Sequence, residues 1–115
     1  MLEEALKRAR AGRQQAEVDL FEFLAIPSVS SLAEHDGDTR RACEWTADRL
    51  RRMGMAVEIA DLPGVRHPVL SAAWPGRPGQ PTLTIHGPLH GRPPAPPRAR
   101  VAPPPPPTPR PGPRP

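Results

Sequence analysis

Residues 21–31, FEFLAIPSVSS, join the end of an apolar helical pattern to a proline turn. Upstream, apolar residues recur every three or four positions with Arg, Gln and Glu between them, which predicts an amphipathic helix over residues 2–25. The apolar stripe consists of Leu2, Leu6, Ala9, Ala16, Leu20, Phe23 and Leu24. Because the residue before a proline disfavours the α region, the helix should end near Pro27 and leave residues 27–31 as an ordered turn.

A second helix should follow this turn. It is expected to begin after Asp36 or Asp38, since either carboxylate can cap the first backbone N–H groups of a helix. Its predicted path runs through Ala42, Cys43, Thr46, Leu50 and Met53. Gly54 is then well placed to end the helix in the left-handed conformation.

Three short strands are predicted after the second helix, at residues 57–59, 68–74 and 81–86. The stretch PGRPG at residues 75–79 is a turn sequence, so the last two strands are expected to pair in antiparallel fashion. Two helices followed by about three strands predict an α/β fold. So few strands rarely make a self-sufficient sheet, so we expect this α/β domain to be incomplete.

The composition of the chain changes at Gly87. From Pro88 to Pro115, fourteen of twenty-eight residues are proline and none is acidic. Proline removes backbone donors and fixes φ, which favours an extended, solvated backbone over helix or sheet. We therefore predict a folded domain over residues 1–87 and a disordered Pro/Arg-rich tail over residues 88–115.

The net charge of +4 over 115 residues comes from the second half of the chain. Residues 1–61 carry twelve acidic and nine basic side chains, whereas residues 62–115 carry seven arginines and no acid. The basic balance thus reflects missing acids more than a cluster of Arg or Lys, which argues against a nucleic-acid partner. The N-terminus is too charged for a signal peptide and no run is long enough to span a membrane, so we expect a cytoplasmic protein with no membrane partner.

The chemically active residue types give no catalytic, cofactor-binding or metal site. Serines in the proline turn lack an adjacent base and should bond local backbone, the lone cysteine should be a buried thiol in a helix, and the tryptophan should pack. The histidines are expected in solvated or packing roles. These residues are Ser28, Ser30, Ser31, Cys43, Trp45, His35, His67 and His86.

Several stretches in order resemble the opening of the zinc-dependent, carnosinase-like dipeptidases, which belong to the aminoacylase, acetylornithine deacetylase and succinyl-diaminopimelate desuccinylase superfamily. The stretches are FEFLAIPSVS at 21–30, RACEW at 41–45, DRL at 48–50, HPVL at 67–70 and PTLTI at 81–85. The resemblance covers residues 1–87. It implies the N-terminal part of an α/β catalytic domain with a mixed sheet, which in full-length members is interrupted by a smaller domain that forms homodimers.

The resemblance also implies a site that this chain has lost. In the family the third strand runs into a motif of the form YGHYDVQPPDP, whose His binds one zinc ion and whose Asp bridges two. The aligned residues are HGPLHGRPPAP at 86–96, so Pro88 and His90 occupy the two ligand positions. Pro88 has no ligating atom and His90 cannot replace a bridging carboxylate. We therefore expect no zinc to be bound here.

The family reaction is the hydrolysis of a dipeptide or an N-acyl amino acid by a metal-activated water. This chain is expected to be a truncated, inactive member of that class. Several of the replacements in residues 88–96 need a single base change to C or G, which suggests a decayed copy of family sequence, although a shifted reading frame would also explain them. The alternative function is a proline-rich ligand at residues 93–115, read by an aromatic-lined groove of a partner.

Overall fold

The computed structural model describes residues 1–91 of the chain. This part has a mixed α/β fold with three α-helices, one 3-10 helix and a two-stranded antiparallel sheet. In chain order the elements are α1 Leu2–Ala11, α2 Arg13–Leu24, the 3-10 helix Ala33–His35, α3 Asp36–Arg52, β1 Ala56–Ala60 and β2 Val69–Ala73. The predicted disorder of the tail beyond Gly91, and the alternative ligand at residues 93–115, lie outside the described residues.

The predicted first helix is present but is divided at Gly12 into α1 and α2. The division is slight, since the Gly12 N–H donates to the Arg8 carbonyl at 2.9 Å and the Ala16 N–H donates to the Gly12 carbonyl at 3.0 Å. The helix ends at Leu24, as the proline at position 27 predicts. Neither α1 nor α2 buries a residue, and Phe23 is the one member of the apolar stripe that is half-buried, whereas the other members are exposed.

Helix α3 begins at Asp36, where the sequence predicts a start, but neither aspartate caps it. His35 occupies the N-cap position, and the first turn is instead tied by the Thr39 hydroxyl, which donates to the His35 carbonyl at 3.0 Å. The Asp36 and Asp38 carboxylates are engaged by Arg66 and His35 respectively. The capping prediction was therefore wrong because side-chain partners compete for both carboxylates.

The core lies between α3 and the sheet. Helix α3 buries one face made of Thr39, Ala42, Cys43 and Ala47, which recur at helical spacing. The half-buried strand residues Val57, Ile59, Leu70 and Ala72 alternate along β1 and β2, as a strand pair with one covered face requires. Small side chains on the helix allow its backbone to approach the sheet closely.

The pairing of the strands differs from the expected one, which joined residues 68–74 to residues 81–86. β1 pairs with β2, so that Val57 lies opposite Ala72 and Ile59 lies opposite Leu70. The predicted third strand at residues 81–86 does not form within residues 1–91, and β2 does not pair with it.

Proline explains why the expected third strand fails. The predicted turn does form, since Pro78 and Gly79 occupy its central positions, Gly79 has φ +77°, and the Gln80 N–H donates to the Arg77 carbonyl at 3.1 Å. However, Pro75 and Pro81 flank this turn and supply no donor for a ladder, so the chain leaves β2 without forming a hairpin.

Two contacts link the ends of the sheet to α3. The Trp74 indole N–H donates to the Met53 carbonyl at 3.1 Å, just after β2. Arg40 contacts both carboxylate oxygens of Asp61 at 2.8 and 3.2 Å, just after β1, and its hydrogen bonds lower the pKa of Asp61. No helix within residues 1–91 has the length and apolar character needed to cross a membrane.

Gly54 is a position where adding a side chain should destabilise the fold. Gly54 directly follows Met53, the C-cap residue of α3, and has φ +84°. Residues with a Cβ adopt this left-handed conformation only at a cost in free energy. We expect Gly54→Ala to lower the free energy of unfolding by about 1 kcal/mol, as measured by urea denaturation. Gly37→Ala is the matched control, because Gly37 lies in α3 with open space around it and should gain up to about 1 kcal/mol. Equal effects at both positions would contradict this account of Gly54.

Candidate functional site

The turn at residues 27–31 is the point where three separate parts of the chain meet, and it is the candidate site. It follows directly on α2, and its backbone is folded tightly: the Val29 N–H donates to the Pro27 carbonyl at 2.8 Å and the Leu32 N–H to the Val29 carbonyl at 3.2 Å. Ser28 and Val29 are buried. The sequence predicts this ordered turn, and the structure confirms it.

The chain returns to this turn at Gly91. The Gly91 N–H donates to the Ser28 carbonyl at 2.8 Å, and Val29 and Gly91 form an isolated parallel bridge. The segment that precedes Gly91 contains Pro88 and His90. This contact therefore brings the segment from His86 to Gly91 back beside the proline turn.

A side chain from the loop before β2 makes the second connection. The Nε2–H of His67 donates to the Ser30 carbonyl at 2.9 Å, and the imidazole is half-buried. This contact spans 37 residues of sequence and holds the turn against the loop that leads into β2. A packing role for His67 is confirmed.

The turn serines have no base to activate them among residues 1–91. None of the side-chain hydrogen bonds in this part of the chain involves the hydroxyl of Ser28, Ser30 or Ser31, and His67 contacts a carbonyl instead. A serine nucleophile needs its hydroxyl within hydrogen-bond reach of a base. The prediction that these hydroxyls bond local backbone was wrong within residues 1–91, because the backbone groups of Ser28 and Ser30, and not their side chains, make the contacts of the turn.

A group of ion pairs surrounds the start of α3, close in sequence to the turn. His35 Nδ1 donates to Asp38 at 2.7 Å, and Asp38 also contacts Arg41 at 3.1 Å. Arg66 contacts the two carboxylate oxygens of Asp36 at 3.1 and 2.8 Å. Each carboxylate already has a cationic or imidazole partner, so these pairs fasten the loops to the helix. His35 thus has a structural partner and occupies the N-cap position of α3.

The segment from His86 to Gly91 does not fit a dinuclear zinc centre. Pro88 offers no donor atom, and His86 and His90 are exposed on either side of it. Within residues 1–91 no three His, Cys, Asp or Glu side chains come together in a way that could hold a metal ion. A pair of zinc ions needs a bridging carboxylate, and the segment from His86 to Gly91 contains none.

Cys43 lies in the core and not at the candidate site. Its side chain is 1% exposed, which confirms that the thiol is buried. Burial raises the pKa of the Cys43 thiol, because the thiolate would lose its hydration. A thiol of this kind is a poor nucleophile near neutral pH.

Trp45 packs where α2 meets α3. Its ring centroid lies 5.5 Å from that of Phe23 at an interplanar angle of 44°, and the guanidinium of Arg49 lies 5.5 Å from the same ring. Arg49 also forms an ion pair with Asp19 of α2. The packing role predicted for Trp45 is confirmed, but the sequence gives no sign that Phe23 is its partner, because Phe23 lies on another helix.

Comparison of the chain with protein-family models, with curated proteins and with solved structures gave no match.

Removing the imidazole of His67 should loosen the turn. We expect His67→Ala to cost about 1 kcal/mol locally, which corresponds to roughly fivefold faster hydrogen exchange at the Val29 and Leu32 amides. His86→Ala is the control, since His86 is exposed and makes no side-chain hydrogen bond within residues 1–91. If the two variants exchange at equal rates, the His67–Ser30 contact does not hold the turn.

The donor groups of residues 86–91 lead to a prediction for zinc titration. In isothermal titration calorimetry of the full chain at micromolar concentration, we expect no site that takes up a pair of zinc ions, because the segment lacks the required donors. His90→Ala should leave the titration unchanged, as should His86→Ala. Stoichiometric uptake of two ions that His90→Ala abolishes would show that the segment forms a metal site after all.

Proposed function

We propose that residues 1–87 are related to the N-terminal part of the catalytic domain of zinc-dependent dipeptidases. The family reaction is the hydrolysis of the amide bond of a dipeptide or an N-acyl amino acid by a metal-activated water. The primary support is the order of the quoted stretches, from FEFLAIPSVS at 21–30 to PTLTI at 81–85. The succession of helix, proline turn, helix and strands in the described fold agrees with that order.

The observation that carries the proposal is the contact between Ser28 and Gly91. The proline turn, which carries part of the resemblance, and Gly91, which lies in the segment aligned with the metal motif, are side by side through the 2.8 Å hydrogen bond and the parallel bridge of Val29 with Gly91. A chance similarity of short stretches does not require them to be neighbours. The contact therefore supports treating them as parts of one ancestral site region.

We further propose that this chain does not carry out the family reaction through a zinc pair at that region. Pro88 and His90 stand at the two ligand positions, and the residues around them do not supply a bridging carboxylate. A dipeptide or N-acyl amino acid is accordingly the substrate class of the family and not one that we assign to the chain in its present form. The cytoplasm is the proposed location.

Accurate sequencing of the coding DNA tests this proposal, from the codon of Leu83 to well beyond that of Pro115. We expect the DNA beyond Gly87, in one of its reading frames, to encode recognisable continuation of the dipeptidase catalytic domain. If the determined sequence also restores His and Asp at positions 88 and 90, the parent is a metal-dependent hydrolase. If Pro88 and His90 are confirmed and family sequence follows, the chain is a diverged relative without the zinc pair.

The contradicting result is equally clear. If no reading frame beyond Gly87 resembles the family, the resemblance of residues 1–87 has no support from its neighbouring sequence and the proposal fails.

A further inference from the structure

Residues 82–85 have the pattern of a strand but no strand partner. The sequence Thr-Leu-Thr-Ile alternates polar and apolar residues and is rich in β-branched side chains. Leu83 and Ile85 are 85% and 88% exposed, although alternation places them on one face of an extended segment. Within residues 1–91, no backbone N–H or carbonyl of these four residues is hydrogen-bonded.

The two-stranded sheet of the same chain has unpaired edges among the described residues. β1 and β2 pair only with each other among the described residues, so each strand presents one side of its backbone without a partner. Unpaired strand edges are templates for an added strand. The more exposed face of the sheet has Glu58 opposite Ser71 at its centre, with small apolar pairs on either side, Ala56 opposite Ala73 and Ala60 opposite Val69, next to which apolar side chains of an added strand would be covered.

Contacts on both sides of the segment tie the chain to other elements. Upstream, the Trp74 indole is bonded to the Met53 carbonyl, and the prolines that follow fix the turn at Arg77–Gln80. Downstream, Gly91 is bonded to Ser28. Between these contacts residues 82–85 are exposed and have no strand partner within residues 1–91, so their backbone is open to a strand from a second molecule.

We propose that two copies of the chain associate by reciprocal strand addition, in which residues 82–85 of each copy pair with a free edge of the β1–β2 sheet of the other. The donor segment and the acceptor edge occur in the same chain, so one two-fold arrangement satisfies both at once and closes the assembly. Backbone hydrogen bonds supply the recognition, and burial of Leu83 and Ile85 supplies apolar contact area. This inference is independent of the relation to dipeptidases.

Analytical ultracentrifugation of the full chain over a range of concentrations tests the proposal. We expect a monomer–dimer equilibrium, and we expect Thr84→Pro to raise the dimer dissociation constant at least about tenfold by removing a donor from the added strand. The same change removes no hydrogen bond of the described monomer, so the fold should be retained. Gly87→Pro is the matched control, because Gly87 is exposed, has open space around it and lies outside the donor segment.

A synthetic peptide of residues 81–87, PTLTIHG, provides a second arm. In excess it should occupy the acceptor edge and convert dimer to monomer, whereas a peptide of the same composition in scrambled order should not. Hydrogen exchange should show protection at residues 82–85 only at concentrations where the dimer forms. A chain that remains monomeric, protection of residues 82–85 in the monomer, or a dimer unaffected by both Thr84→Pro and the peptide would each overturn the proposal.

Discussion

The described fold depends on close contact between one face of α3 and the β1–β2 sheet. Ala42 and Ala47 are fully buried in that contact, and only small side chains at these positions let the helix backbone approach the strands. The other elements are then fastened to α3 individually: α2 through Trp45, the end of β1 through Arg40 and the end of β2 through the carbonyl of Met53. Each of these attachments is made to α3 or its C-cap residue, so all of them depend on the packing of this helix against the sheet.

The elements that follow from local physics could be predicted from the sequence. The stop before Pro27, the left-handed Gly54 and the alternation in Val57 to Ile59 each depend on a few neighbouring residues, and each has the expected structure. The wrong predictions involve competition between distant groups. Asp36 is engaged by Arg66, thirty residues away, in place of a helix cap. β2 pairs with β1 and not with residues 81–86, because the prolines around the following turn supply no backbone donors for a hairpin.

The candidate site could be predicted only in part for the same reason. The proline turn was evident from residues 27–31, and the lack of a ligating side-chain atom at Pro88 was evident from its chemistry. The contacts that assemble the site, from Gly91 to Ser28 and from His67 to Ser30, join backbone carbonyls to groups far along the chain. A backbone carbonyl has no residue type, so no sequence pattern marks it as an acceptor. Such contacts become visible only once the fold brings the partners together.

The small size of the core has a thermodynamic consequence. Among residues 1–91 the buried apolar side chains are Val29, Ala42, Cys43 and Ala47, most of them small. Unfolding therefore hydrates little new apolar surface, and hydration of such surface is the main source of the heat-capacity increase on unfolding. The enthalpy of unfolding should accordingly vary little with temperature. The plot of the unfolding free energy against temperature should therefore be nearly straight over a wide range, because its curvature is set by the heat-capacity change.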